Sequence, residues 1–145
     1  MLKVDLIGSK ELKSAIEKAE KKLVEGVNRA MDASVIAINN KQVSGSPQGV
    51  GVDKGRLREG NTFDNSKPLN KVLENKIKYA PYQEFGTGAY VFMGETWMTP
   101  ELLTVASAFK GKGIRKVNMM PKPFFYKPFY DEKPVLIKAI EDILK

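Results

Sequence analysis

The sequence predicts an α+β fold, in which a small antiparallel β-sheet packs against a long N-terminal helix and a C-terminal helix closes the chain. Apolar residues recur at spacings of three and four from residue 10 to about residue 41, which is the period of an amphipathic helix. Residues 71–79 alternate between apolar and polar, as in a strand with one wet face. We expect a single domain over residues 1–145, with a protruding or mobile insertion at about 89–118.

The first helix is predicted to be longer than a domain of this size needs. About 30 residues of helix span roughly 45 Å. Its second half is apolar on several sides and includes Met31 and Val35. Two interpretations stay open: this wide stripe belongs to the core, or part of it meets a second subunit. The second interpretation makes Met31 and Val35 candidate partner contacts.

The sheet is predicted from two extended segments joined by a turn. Residues 60–64 are extended in character, and the sequence DNSKP at 64–68 has the composition of a turn. In the strand at 71–79, Leu73 is expected to face inward and Glu74 to face water. Pairing the two segments gives an antiparallel hairpin with one wet face.

Two further helices are predicted after the sheet. Thr99 and Pro100 form a helix start, with a capping hydroxyl followed by proline at the first helical position. Prolines preclude continuous helix through Pro123. We place the start of the closing helix near Pro134, because proline is tolerated in a first helical turn.

The composition excludes several kinds of chemistry. The chain has no His and no Cys, which removes imidazole bases, thiolate nucleophiles and the usual zinc ligands. Its serines have no histidine partner, and no Walker-type phosphate loop is present. We therefore predict no enzyme and no catalytic, cofactor-binding or metal-binding residues. No apolar run approaches the roughly 20 residues of a membrane span, so no membrane partner is expected.

The stretch Tyr79–Gly88 combines aromatic residues, one carboxylate and a Gly-Thr-Gly turn. Burial of Glu84 among aromatics would raise its pKa, and such a group can act as a general acid. We identify no second carboxylate that could act together with Glu84. We therefore favour a structural role, in which Glu84 accepts backbone or Tyr hydrogen bonds or pairs with Arg56 or Arg58. The residues predicted to form this structural motif are Tyr79, Tyr82, Glu84, Phe85, Gly86 and Thr87.

Two later segments are candidate contact surfaces. The apolar residues at 90–98 either fold back onto the core or meet a partner, and the candidate contacts are Tyr90, Phe92, Met93 and Trp97. The segment 110–116 is a solvated loop or an arm that touches DNA or an acidic surface, through Lys110, Lys112, Arg115 and Lys116. A net charge of +7 favours polyanionic neighbours in general.

Three segments, in order after a long helix, carry a family resemblance. They are DKGRLREG at 53–60, YAPYQEFGT at 79–87 and MPKPF at 120–124. The trio resembles the tail-completion or head–tail joining proteins of HK-type tailed phages. The resemblance covers roughly residues 10–145 and departs from the family in a longer connection at 89–118.

The resemblance implies a structural protein of a phage or prophage virion, at the neck or the head-proximal end of the tail, with no enzymatic role. It implies that identical subunits form a ring that lies next to other neck or tail proteins. The ring size we consider is a hexamer. It also allows non-specific contact with DNA in the conduit, and localisation to the virion after assembly in the host cytoplasm. A basic nucleic-acid-binding module is the alternative, and an enzyme using Glu84 is a second one.

Overall fold

The computed structural model of the protein describes residues 9–44, 55–91, 96–110 and 118–145. The prediction of an α+β fold is confirmed, because a two-stranded antiparallel sheet packs against a long N-terminal helix and a C-terminal helix lies beside it. In chain order the elements are α1 (Ser9–Val43), α2 (Arg56–Glu59), β1 (Asn61–Lys67), β2 (Asn70–Asn75), α3 (Ala80–Phe85), a 3-10 turn (Gly88–Tyr90), α4 (Pro100–Ser107) and α5 (Tyr126–Leu144).

Helices α1 and α5 lie side by side and antiparallel. At one end, Gln42 Nε2 donates a hydrogen bond of 2.9 Å to the carbonyl oxygen of Phe125, just before α5 begins. At the other end, Gly26 faces Ile143 so closely that a Cβ on Gly26 would lie 3.1 Å from Ile143 Cγ2. Helix α5 therefore ends beside Gly26, and residues 9–25 of α1 continue past it for roughly 25 Å at 1.5 Å per residue.

The two halves of α1 differ sharply in exposure. In the N-terminal half, Leu12 and Ile16 are 63% and 58% exposed, whereas Val35 and Ile38 in the C-terminal half are 6% and 4% exposed. The side of the C-terminal half that carries Val35 and Ile38 thus belongs to the core, whereas Ile36, on another side of the wide apolar stripe, is 48% exposed. Val35 is buried within its own chain and is not available to a partner, which corrects its place among the contact residues, and Met31 is partly buried.

Strands β1 and β2 form the predicted hairpin, with Asn61 opposite Asn75 and Phe63 opposite Leu73. Strand β1 continues to Lys67, so the turn is later and tighter than the one predicted at 64–68. The residues of β2 alternate between exposed and partly buried, as predicted for a strand with one wet face.

Strand β2 ends at Asn75, whereas the sequence pattern predicted extended structure as far as residue 79. The cause is local. Asn75 Oδ1 accepts a hydrogen bond of 2.9 Å from the N–H of Ile77, which replaces a ladder bond with a side-chain turn. The chain is then free to turn into α3.

The hairpin is attached to α1 through polar contacts. Lys71 Nζ lies 2.7 Å from Asp32 Oδ1, and the lysine side chain is 3% exposed. The same ammonium donates to the carbonyl oxygen of Asn65 at 2.9 Å. Beside this pair, the N–H of Leu69 donates to Asn28 Oδ1 at 3.2 Å. A buried cation and its partner therefore fix the position of the hairpin on α1.

Asp32→Asn is expected to lower the free energy of unfolding by about 3 kcal/mol, because the buried Lys71 ammonium loses its counter-charge. Lys71→Met should cost less, about 1 kcal/mol, since Asp32 keeps 30% of its side chain in solvent. The double variant should be more stable than Asp32→Asn alone. Urea unfolding of the four proteins measures this coupling, and strictly additive changes would contradict a direct pair.

Helix α5 begins at Tyr126, well before the start predicted near Pro134. Pro128 lies in the first turn, where its missing N–H removes no helical hydrogen bond. Pro134 lies inside the helix and leaves the carbonyl of Tyr130 without its usual donor. The predicted start near Pro134 is therefore wrong, because the start of α5 is determined by Glu84, which is distant in sequence.

Helix α4 begins as predicted, with Thr99 Oγ1 accepting a hydrogen bond from the N–H of Leu102 at 3.3 Å. Its inner face is buried: Leu102 is 6% exposed and Ala106 is 0% exposed, in one cluster with Phe85 and Met98. This part of the predicted insertion at 89–118 thus lies against the core and does not protrude from it.

Candidate functional site

The three segments that carry the family resemblance meet in the structure. Leu57 comes from the first segment, Ala80 from the second and Phe124 from the third, and together they form one buried cluster. They are 7%, 5% and 1% exposed. We call this region the motif junction, defined by Leu57, Ala80, Glu84, Gly86 and Phe124. It joins α2, α3 and the segment that leads into α5.

Glu84 fixes the start of α5. Its Oε2 accepts hydrogen bonds from the N–H groups of Phe124 at 2.7 Å and Phe125 at 2.9 Å. Its Oε1 accepts one from the N–H of Tyr126 at 3.0 Å. The first N–H groups of a helix have no helical acceptor, and a negative charge there is favourable. Glu84 is therefore a helix cap that α3 supplies from a distant part of the chain.

The partner of Glu84 is thus the backbone, which is one of the structural partners considered from the sequence. Arg58 is used elsewhere: it donates from Nε and Nη2 to the carbonyl oxygen of Val43 at 2.8 and 2.6 Å. This contact ties α2 to the end of α1. Both carboxylate oxygens of Glu84 face backbone donors, so the geometry does not present the group to a substrate.

Burial raises the pKa of Glu84 above its ordinary value of 4.5, and the three N–H donors oppose that shift without cancelling it. The carboxyl group is 3% exposed, which explains why loss of solvation dominates. The proton is held more tightly in the folded chain than in the unfolded one. The stability of the fold is therefore linked to pH through this residue.

We expect protonation of Glu84 to stabilise the fold. Because the folded pKa is raised, the contribution is fully present below the unfolded value of 4.5 and is lost as pH rises through the raised value. Glu84→Gln carries a side chain that does not titrate. The free energy of unfolding of the wild type, measured relative to that variant in urea, should fall as pH rises from 4.5 through the raised pKa of Glu84. A rise over this range would contradict the prediction.

Gly86 allows the chain to pass against the segment before α5. Its φ of 74° and ψ of −174° lie in a region that is open essentially to glycine alone. A Cβ here would lie 2.6 Å from the carbonyl oxygen of Met119. Two backbone hydrogen bonds close the contact, from Thr87 N–H to Met119 O at 3.0 Å and from Lys122 N–H to Gln83 O at 2.8 Å. The second and third segments are therefore paired through their backbones.

The aromatic residues of the motif connect α3 to its neighbours. Phe85 is 3% exposed and stacks against Phe109 and Tyr126, with ring centroids 5.6 and 5.9 Å apart. Tyr82 lies nearer the surface, with its ring edge-on to Phe109 at 5.2 Å. Tyr79 directly precedes α3 and is 46% exposed. Phe85 is thus the core anchor, and the two tyrosines lie at the rim.

Sequence reasoning misses two amides that complete the motif junction. Gln42 is 1% exposed and, besides its bond to Phe125, accepts from Asn61 Nδ2 at 3.4 Å. Asn75 Nδ2 donates to the carbonyl oxygen of Leu57 at 2.9 Å. Both amides lie at inward positions, Gln42 on α1 and Asn75 on β2. A polar residue at such a position is the signal that could have identified them.

The residues predicted to contact a partner, DNA or an acidic surface differ in their exposure and lie in different parts of the chain. Tyr90 is 50% exposed, and Lys110 is exposed just after α4. Trp97 is partly buried, with its ring 6.0 Å from that of Tyr130, so it packs within its own chain. Outside the described residues lie Phe92, Met93, Lys112, Arg115 and Lys116.

A cleft of about 320 Å³ opens beside the motif junction, between β2, α3, α4 and the start of α5. Its walls are mostly apolar. The carboxylates among its lining residues are Glu84, which holds three backbone N–H groups, and Glu74, which lies 2.9 Å from Lys76 Nζ. The cleft therefore offers shape and apolar surface to a ligand rather than an acid–base pair.

In the part of the chain that the structure describes, no group of three or more acidic side chains could hold a metal ion. Across those same residues, no helix combines the length and the apolar character that crossing a membrane requires. Comparisons of the chain with protein-family models, with curated proteins and with solved structures find no match.

Proposed function

We propose that this chain is a structural protein of a tailed-phage or prophage virion, which forms a ring at the neck or the head-proximal end of the tail. One observation carries the proposal. The three segments of the resemblance are separated in sequence by about 20 and 30 residues, yet they form one junction with shared core and shared hydrogen bonds. Segments that specify one scaffold together are better support for a family than three isolated matches.

The buried charged groups support a structural role. Glu84 caps α5, Lys71 pairs with Asp32, and Glu132, which is 6% exposed, pairs with Lys41 at 2.6 Å. Each of these groups has a partner that fixes one element on another. Chemistry on a small molecule needs groups that are held ready but uncommitted. The described residues instead favour a protein that acts through its surfaces.

The surface itself suits an assembly. Large apolar side chains are exposed on several elements, among them Leu12 on α1, Val72 on β2 and Val135 on α5. Exposed apolar residues on different faces suit a subunit with neighbours on more than one side, as in a ring. A net charge of +7 suits an acidic neighbouring protein or DNA in the conduit.

A deletion tests the proposal in the strain that carries the gene. Induced cultures should release filled heads and separate tails that do not join or terminate normally, with infectivity restored by the wild-type chain from a plasmid. Mass spectrometry should find the chain in purified complete particles. Normal infectivity after deletion would overturn the proposal. If the isolated chain then bound duplex DNA with an affinity that falls steeply with salt, the nucleic-acid-binding alternative would be favoured.

A further inference from the structure

One apolar seam runs along α1, and α5 covers half of it. In the N-terminal half, the seam consists of Leu12, Ile16, Ala19 and Leu23, at spacings of four, three and four. This is the a/d pattern of a coiled coil. The next position in the same pattern is Gly26, which is where Ile143 of α5 makes its close contact. The seam thus passes from open to covered where α5 ends.

We call Leu12, Ile16, Ala19 and Leu23 the open seam. Side chains described between residues 10 and 25 are all exposed, so among the described residues no element covers this seam. A groove at its inner end is lined by Leu23 together with Ile143 and Leu144, and Leu144 is 63% exposed. The groove also includes Ile16 and Ala19, so it is continuous with the open seam on the side of α5.

We propose that the open seam binds the open seam of a second copy of this chain, antiparallel, to form a two-fold dimer. The register follows from the sequence. Placing Leu12 opposite Leu23 of the second copy also places Ile16 opposite Ala19, so every layer pairs two leucines or one large and one small residue. In this register Leu12 of the second copy enters the groove beside Ile143 and Leu144.

The flanking charges select this orientation. Beside the seam, Lys13 and Glu20 occupy equivalent positions on one flank, and an antiparallel pair sets that flank against itself. Lys13 of each copy then lies within reach of Glu20 of the other, which makes two ion pairs. A parallel pair would instead set Ala15 near Glu20 and Lys22 near Val27, which are not charge pairs.

The path of α5 points to the same occupant. Helix α5 runs antiparallel to α1 and ends beside Gly26. In the proposed register the second copy's α1 begins beside the C-terminal end of α5, where Ile143 and Leu144 flank the seam at Leu23, and runs on in the same direction along the remaining seam. The second helix therefore continues the covering that α5 provides. Because the pair is isologous, it is not the contact that closes a ring, and it goes beyond the proposed function.

Sedimentation equilibrium of the full chain tests the dimer. The expected mass is twice 16.2 kDa, at protein concentrations of about 50 µM. Ile16→Asp should give a monomer, with its urea unfolding midpoint little changed, since Ile16 is 58% exposed. A wild-type monomer at this concentration, or a dimer that persists in Ile16→Asp, would overturn the proposal.

Charge exchange tests the orientation. Lys13→Glu and Glu20→Lys should each weaken the dimer about tenfold, because each variant creates two like-charge contacts. The double exchange should return the dissociation constant to within about threefold of the wild type. Lys21→Glu, which makes the same charge change on the opposite face of the helix, is the matched control and should have little effect. A double variant as weak as the single ones would overturn the register.

Disulfide trapping gives a second measurement, which is clean because the chain has no cysteine. With Leu12→Cys and Leu23→Cys combined, mild oxidation should trap a covalent dimer. Either cysteine alone should trap little, because identical residues lie roughly 16 Å apart along the antiparallel pair. Efficient trapping by Leu23→Cys alone would indicate a parallel pair and would overturn the proposal. None of these three experiments depends on the virion, so failure here and failure of the proposed function are distinguishable.

Discussion

Glu84→Ala is expected to lower the free energy of unfolding by about 3–5 kcal/mol. The substitution removes the acceptor of three backbone N–H groups at the start of α5 and leaves them in a region where Phe124 is 1% exposed. A buried donor without a partner costs about 1–3 kcal/mol. Urea unfolding followed by circular dichroism measures the change.

The matched control is Glu141→Ala, which removes an exposed carboxylate from α5. It should change stability by less than about 0.5 kcal/mol. Hydrogen exchange gives a local readout, since the amides of Phe124, Phe125 and Tyr126 should lose protection in Glu84→Ala and keep it in the control. A stability loss below about 1 kcal/mol would show that water or another group replaces the cap.

Gly86→Ala is expected to cost about 4 kcal/mol, enough to prevent stable folding of a marginal domain. Two effects add. The backbone conformation, with φ of 74° and ψ of −174°, is strained for any residue with a Cβ, and that Cβ would also lie 2.6 Å from Met119 O. Relief by movement would break the adjacent hydrogen bond between Thr87 N–H and Met119 O.

Gly55→Ala separates these effects. Gly55 also has a positive φ, of 70°, but a Cβ there would meet only ordinary contact, with Glu59 Oε1 at 3.6 Å. We therefore expect a loss of about 1 kcal/mol, from backbone strain without a clash. Thermal and urea unfolding compare the two variants. Equal losses would mean that the segment before α5 moves aside at little cost, contrary to the tight pairing of the motif junction.

The parts of the fold that could be predicted are those whose cause is local. The spacing of apolar residues within α1 is enough to predict that helix. The start of α4 is predicted from Thr99 and the proline after it. The alternation of side chains along β2 likewise predicts which face of the strand is exposed to solvent and which is partly buried. In each case the residues that determine the element lie inside it or next to it.

The parts that could not be predicted depend on residues far apart in sequence. The start of α5 is set by Glu84, about 40 residues earlier, so the nearby prolines mislead. The division of α1 into covered and open halves depends on the length and direction of α5, as the contact between Gly26 and Ile143 shows. Periodicity reveals an apolar face, but it does not say which element covers it.

The antiparallel pairing of α1 with α5 has a consequence for how the protein is made. The ribosome synthesises α1 before α5, the helix that packs along its C-terminal half. The contacts between α1 and α5 wait until the bond from Gln42 to Phe125 can close a loop of 83 residues. The nascent chain therefore carries a partly uncovered apolar helix until α5 has been synthesised.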